Sequence, residues 1–338
     1  MKIKILLSFL LSVLMFQSCS SQTNYYVAFW NLENLFDTID DPNNMGDDEY
    51  LPNNQLRWDE EKFDKKLSNL SKIIRSMNEG QGPDILGVCE IENRSVIELM
   101  ASRYLRDLEF EIIHFDSPDS RGIDVALLYK KDRIEFIDAT AINVPIEGMT
   151  RDILYSKLKI DSEFFHFFVN HWPSRRGGEI ESEPRRIKAA TILRKNVDEV
   201  LSKDQTANII IMGDFNDMPY NNSILVSLLA VDFDCGNMST EYGSNLYNLS
   251  QSLFKQEKGT YFHQGQFNML DQIIVSKGLL DNKKFDYVCN SFEILSNDLN
   301  TTRQGKYAGA PYPTFGSGRY LGGFSDHFPV GIRLKVIE

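Results

Sequence analysis

Beyond its first sixteen residues the chain has no apolar run long enough to cross a bilayer as a helix. Cysteine is scarce: Cys19, Cys89, Cys235 and Cys289 are the whole supply in 338 residues. None is spaced as CxxC, so a zinc ribbon or a dithiol redox site lacks its ligands. The three cysteines beyond Cys19 are an odd number, so a disulfide framework is not expected and buried free thiols are. Basic residues are in deficit too, 36 against 48 acidic ones, a formal net charge of −12. Long-range attraction to a polyanion is therefore not built into the global charge. A nucleic acid or a phospholipid would have to be held by local cations and a metal. Internal repeats and low-complexity tracts are absent as well.

What is present begins with a targeting segment. Lys2 and Lys4 precede an apolar run from Ile5 to Phe16, interrupted only by two serines. That run is too short to span a membrane and suits a signal peptide over residues 1–18. Phe16-Gln17-Ser18-Cys19 resembles the lipobox of bacterial lipoproteins, which implies lipidation at Cys19 as the mature N-terminus. Ordinary cleavage a few residues later, with secretion, is the alternative. Either way the expected location is extracytoplasmic: the bacterial cell envelope, lipid-anchored at the outer membrane, or else secreted. Without Lys2 and Lys4, 34 basic residues face 48 acidic ones, a net charge of −14.

Tyr25 to Trp30 reads as a strand, and Asp40 to Asn54 as a loop rich in Asp, Asn and Pro. Phe63, Leu67, Leu70, Ile74 and Met77 recur at helical spacing and predict a helix over 59–78. A second helix is expected at Arg94–Tyr104. A third is expected to run from Pro184, a residue suited to a first turn, to about Leu201. Strands are expected at 109–115, 123–129, 133–138, 152–160 and 163–170, and in "NIIIMG", "QIIVS" and "PVGIRLKVI". Many neighbouring strands have no helix between them, which points to an α/β (α+β) mixed sandwich rather than a doubly wound parallel sheet.

The residues with chemical capacity cluster at strand ends. Asn31 closes "YYVAFW", Glu90 closes "DILGVC", His171 closes "FFHFFVN", and Asp214 and Asn216 close "NIIIMG". Apolar strands that each end in a polar group build a rigid wall with a reactive rim. With Glu33, Asp271, Asp326 and His327 added, the set offers hard oxygen donors and two imidazoles. Such a set favours Mg²⁺, Mn²⁺ or Ca²⁺ over zinc.

"FWNLEN", "GVCEIEN", "VNHWPSR", "IMGDFND", "LDQIIVS" and "FSDHFPVGIRL", in that order, resemble the signature blocks of the endonuclease/exonuclease/phosphatase superfamily. The resemblance covers about residues 25 to 336 and assigns one domain to residues 24–338. It implies a four-layer sandwich of two mixed β-sheets flanked by helices. It also implies a divalent-metal-dependent phosphoesterase that hydrolyses P–O bonds by attack of an activated water. On that basis Asn31, Glu33, Glu90 and Asp326 surround the cation, expected to be Mg²⁺ with Mn²⁺ or Ca²⁺ as substitutes. Asp271 orients the His327 imidazole, and Asp214 and Asn216 hold and activate the water. His171 either donates to a phosphate oxygen or protonates the leaving group. The alternative for Glu33 is a solvated helix-start acid, and for Asp271 a strand cap.

Arg151, Arg175 and Arg319 are the expected substrate-binding cations. Arg319 lies in "RQGKYAGAPYPTFGSGRYLGGF", a glycine-rich loop joined directly to Asp326, which is expected to overhang the site. His114, His166 and His263 match no block and read as structural. The expected partner is a phosphate-ester substrate, nucleic acid ahead of phospholipid, inositol phosphate or nucleotide. Membrane contact is expected only through the N-terminal lipid. A non-catalytic envelope lipoprotein on the same fold is the competing class, against which stands the retention of both "GDFN" and "SDH".

Overall fold

The computed structural model describes residues 24–42, 44–235 and 246–337. The expected signal peptide and Cys19 lie outside them.

The chain runs through β1 (Asn24–Leu35), α1 (Glu60–Gly80), β2 (Ile85–Ile91), α2 (Arg94–Tyr104), β3 (Phe110–His114) and β4 (Asp124–Lys130). Then come β5 (Ile134–Ile142), β6 (Ile153–Ile160), β7 (Glu163–His171), α3 (Glu179–Lys203) and β8 (Asn208–Asp214). Shorter pieces follow: β9 (Ala230–Asp232), β10 (Leu246–Asn248), α4 (Gln251–Phe254), β11 (Tyr261–His263), β12 (Gln266–Asn268) and β13 (Asp271–Ser276). The last are β14 (Phe285–Tyr287), β15 (Glu293–Ile294), β16 (Phe315–Gly316), β17 (Arg319–Tyr320) and β18 (Val330–Val336).

Two mixed sheets result. One has the order β14-β18-β1-β2-β4-β3, with β15 also on β18; the other has the order β5-β6-β7-β8-β13-β10-β9. Strand alternation explains how they stack. On β1, Val27 and Phe29 point into a core shared with Phe165, Phe167, Ile210 and Met212 of the facing sheet. Tyr26, Ala28 and Trp30 point the other way, against Phe63, Leu67, Leu70 and Ile74 of α1. On the far side α3 covers Ile209, Ile211 and Ile274 with Ala189, Leu193 and Val197. Helix, sheet, sheet and helix make the four layers that the family resemblance implies.

The first helix starts at an Asp59 cap whose carboxylate accepts the Lys62 amide, and its helical geometry gives out at Met77. α3 departs from expectation. It begins at Glu179 and holds Pro184 within it, because a turn anchored by Gly178 already carries the first residues.

The expectation of free thiols is wrong for two of the three described cysteines. Cys235 and Cys289 form a disulfide across 54 residues of sequence, and only Cys89 stays free, buried in the core. No local spacing announces a bridge between such distant partners.

The parallel pairs set the polarity of the domain. β1 lies parallel to β2, and β7 parallel to β8, so their C-terminal ends emerge at one pole. Asn24, where β1 enters, pairs with Lys335 at the opposite pole.

Candidate active site

At the shared pole the two strand pairs end in Asn31, Glu90, His171 and Asp214. Regular pleating would not keep consecutive polar side chains on the same side, and both strands of the first pair break register here. The shift falls between Asn31 and Leu35 in β1, and between Cys89 and Ile91 in β2. Glu33, Asn34 and Glu90 take positive φ of 51, 52 and 59°, and Asn216 takes 50°. Bulges and left-handed non-glycine residues are held in place by surrounding contacts, and they concentrate at sites of this kind.

The two sheets are pinned together by Asn31, whose Nδ2 donates to Asp214 Oδ2 at 3.0 Å. The other Asp214 oxygen accepts the Asn216 amide at 2.9 Å, so this carboxylate is held on both sides. Asp271, opposite Asp214 in the β8–β13 ladder, places Oδ2 at 2.7 Å from His327 Nδ1. The pairing turns His327 Nε2 towards Asp214 Oδ2, at 3.9 Å. His171 Nε2 approaches the same oxygen from the other side, at 3.6 Å, with Glu90 Oε1 at 3.7 Å. Asp214 thus stands between two imidazoles.

Electrostatics divide the roles of these groups. Burial pushes His171 well below the usual imidazole value, and Arg151, Arg121 and His327 push the same way. His327 is buried as well, but Asp271, then Asp326 and Asp214, outweigh burial and hold it well above that value. The surroundings drive the two rings in opposite directions, His171 towards the neutral form and His327 towards the protonated one. Burial, followed among its causes by the opposing pull of His327, raises Asp214 to about 6. Burial and then Glu33 raise Asp326 to about 7, with Glu90 adding to the effect.

These raised carboxyls test the fit of a divalent cation. Asp326, Glu33, Glu90 and Asp214 crowd negative charge into a buried place, with the Asn31 amide beside them. Hard oxygen donors under mutual repulsion match a hard cation. Asn31, Glu90 and Asp326 fit that role. The carboxylate of Glu33 is engaged elsewhere: its oxygens accept the amides of Thr314 at 2.6 Å and Phe315 at 3.1 Å. Lys66, a buried residue of α1, adds to this clamp by donating to the Glu33 carbonyl at 2.5 Å and to Thr314 Oγ1 at 2.7 Å. The glycine-rich segment before Asp326 is thereby fastened to β1.

The three expected substrate cations fare differently. Arg151 is 6% exposed, and its guanidinium donates to Asp119 Oδ2 at 3.1 Å and to the Trp172 carbonyl at 2.6 Å. From the loop before β6 it supports the His171 strand end instead of lining the rim, its guanidinium taken up by Asp119 and the Trp172 carbonyl. Arg175 donates from Nε to the Asn216 carbonyl at 2.7 Å and from Nη1 to Asn268 Oδ1 at 3.3 Å, so it braces the turn after β8. Arg319 stands exposed on the β16–β17 hairpin. Asn216 itself donates its side-chain amide to the Trp172 carbonyl at 3.1 Å.

Two residues at the rim are not marked by any sequence block. Arg121 reaches from the loop before β4 to within 3.8 Å of Glu90 Oε1 and donates to Asn34 Oδ1. The Tyr261 ring lies 4.7 Å from the His327 ring, tilted by 30°. Burial, then Asp326 and Asp214, raise its phenol to about 12. The "GTYF" stretch ten residues before Asp271 was the available signal. His114 pairs with Asp124 and His166 with Tyr155, while His263 is exposed and its ring lies 6.1 Å from that of Tyr261.

The family model described as Endonuclease/Exonuclease/phosphatase family matches residues 26–336. No curated protein matches the chain in sequence. Similar solved structures include D. rerio TDP2 humanized by 14 mutations, at 16% identity and TM-score 0.57, covering 93% of this chain and 99% of that one. Bacteroides thetaiotaomicron mannosyl-6-phosphatase aligns at 16% identity and TM-score 0.56, over 92% of this chain and 99% of its own. The human Nocturnin catalytic domain with bound sulfate aligns at 16% identity and TM-score 0.53, over 93% and 94%. At such identities the likeness is one of fold.

Proposed function

Since this chain belongs to the endonuclease/exonuclease/phosphatase family, whose members are metal-dependent hydrolases of phosphoric ester bonds, we propose that it is a nuclease-like phosphodiesterase of the cell envelope. The observation that carries the reading is Asp214 flanked by two imidazoles in opposed surroundings, one of them locked by Asp271. Asn31, Glu90 and Asp326 would hold the divalent cation, Mg²⁺ by preference, which when bound supplies positive charge against the phosphate and the leaving oxygen. Asp214, steadied by Asn31 and Asn216, accepts the proton of the attacking water. His327, protonated and aimed by Asp271, donates Nε2–H to the phosphoryl group and holds the proton that the departing oxygen requires. His171, neutral, contributes a hydrogen bond to a phosphate oxygen. One water adds to phosphorus, one ester bond breaks, and the proton taken by Asp214 balances the one given by His327.

The Asp214, His171 and His327 side chains are all nearly closed to solvent. A phosphate group can reach these side chains while the rest of its ester stays at the rim, where Arg121 and Tyr261 stand. That favours a short or terminal phosphodiester over a long stretch of duplex, in keeping with the net charge of −14 after removal of the leader. The Cys235–Cys289 bridge supports an oxidising, extracytoplasmic compartment, and the expected Cys19 lipid would fix it to the envelope. The test is a panel of single-stranded DNA, RNA, bis-(p-nitrophenyl) phosphate, p-nitrophenyl phosphate and sphingomyelin, each with Mg²⁺ and with EDTA. Hydrolysis of the nucleic acids or the diester dye, abolished by EDTA, is expected. Hydrolysis of the monoester alone, or of sphingomyelin alone, overturns the substrate assignment.

A further inference from the structure

A second group of acids lies beyond the end of β1, in the loop that leads towards α1. One oxygen from each of Asp40, Asp47 and Asp48 falls within 4.8 Å of the others. Clustered carboxylates on a surface are common and mean little alone. What separates this group is Asp47, which is 2% exposed. Its Oδ2 accepts the Asp41 amide at 2.9 Å, whereas its Oδ1 is buried and has no hydrogen-bond partner. A buried carboxylate oxygen left without a donor is costly, and in native proteins it marks a place where an ion or water belongs. Among the described residues no lysine or arginine forms an ion pair with Asp40, Asp47 or Asp48.

We propose that Asp40, Asp47 and Asp48 bind a calcium ion, at a site separate from the candidate active site. Calcium accepts six to eight oxygen ligands in irregular geometry, including loop carbonyls and water, which an acidic loop with two exposed members can supply. Magnesium demands a near-octahedral cage and gives up its waters reluctantly, so it suits this loop less well. A site with three carboxylates in a surface loop belongs to the weak class, with a dissociation constant on the order of 10⁻⁴–10⁻³ M, useful where free calcium is millimolar. Burial, with Asp40 and Asp48 adding to it, holds the Asp47 carboxyl above its usual range, a strain that the cation removes.

The consequence reaches the rim of the pocket. Gly46 packs so closely on the Arg121 carbonyl that an added Cβ would come within 2.3 Å of it. Gly122 is pressed in the same way against the side chain of Asn44, where a Cβ would lie 1.7 Å from Nδ2. Arg121 is the cation that faces Glu90. A calcium ion therefore fastens the loop that backs Arg121.

Calcium titration by calorimetry, with melting temperature as a second readout, tests the proposal on the whole protein. The variants are Asp47→Asn, the exposed pair Asp40→Asn with Asp48→Asn, and Glu90→Gln. Wild type should bind a calcium that Glu90→Gln retains and that the loop variants bind at least tenfold more weakly, and calcium should raise the melting temperature of wild type and Glu90→Gln but not of the loop variants. Should Asp47→Asn fail to fold, the exposed pair decides. Equal calcium binding and an equal thermal shift in wild type and the exposed-pair variant would overturn the proposal.

Discussion

Asp271 and His327 stand 56 residues apart in sequence and 2.7 Å apart in space, carboxylate oxygen to ring nitrogen, with both side chains buried. The pairing fixes which imidazole nitrogen faces Asp214. Asp271→Asn keeps the shape but removes the charge and lets the ring adopt the other tautomer. The expected result is a fall in kcat of about 10²–10⁴-fold with a folded protein, as judged by circular dichroism. A change confined to KM would count against the proton role of His327.

Asp214 needs to be ionised to take a proton, and its carboxyl is raised to about 6. Activity should therefore rise with pH through roughly that value. His327→Ala and Asp214→Ala are each expected to cost at least about a hundredfold in kcat/KM. The acidic limb should vanish from whatever residual rate Asp214→Asn retains, which a pH profile of wild type and variant measures.

Removing the cation should reshape stability as well as rate. Between about pH 6.5 and 8 an unfolded chain has its carboxyls ionised while its imidazoles pass from half-protonated to neutral. In the lower part of that window the folded chain still holds a proton on Asp326, near 7, and throughout it on His327, held well above its usual value. A folded state that binds more protons loses stability as pH rises. In EDTA the melting temperature should thus drop between pH 6.5 and 8.5, and saturating Mg²⁺ should shrink that drop. A flat profile in EDTA would contradict the crowding of acids at the site.

Glu33 and Lys66 are expected to behave as fasteners of the segment leading to Asp326. Lys66→Met leaves the Glu33 carbonyl and Thr314 without their buried donor, and should destabilise the fold by about 1–3 kcal/mol in chemical denaturation. Glu33→Gln should lower stability while changing the half-saturating Mg²⁺ concentration less than Glu90→Gln does. The reverse order would return Glu33 to the cation.

The bridge between Cys235 and Cys289 closes a loop of 54 residues. Reduction, or Cys235→Ser with Cys289→Ser, is expected to cost about 2–4 kcal/mol. Melting curves with and without reductant check this, and the double variant should show no response to reductant.

Much of this site was legible because strand alternation is a strong code. Phe165, Phe167, Val169 and His171 occupy every second position of β7, so the histidine at its rim follows from the pattern. The apolar run closing at Asp214 is read the same way. The pairing of Asp271 with His327 came from the order of the blocks, since no local rule links residues in different elements. What stayed hidden depends on contacts between distant segments. Arg121 reaches Glu90 from a loop with no periodicity, and Tyr261 meets His327 through an isolated bridge. Arg151 looked like a rim cation because its charge shows in the sequence and its inward direction does not. Pro184 suggested a helix start, but Gly178 and the residues after it had already formed the preceding turn.

The polarity of β1 bears on what the enzyme can reach. Seven residues of extended chain, about 23 Å, separate Asn24 from Asn31. Five residues from Cys19 to Asn24 span at most about 18 Å, too little to loop back around the domain. Were the proposed lipid at Cys19 present, the reactive mouth would face away from the bilayer that carries it. Lipids of that leaflet would then be the esters least within its grasp, and diffusing ones the most.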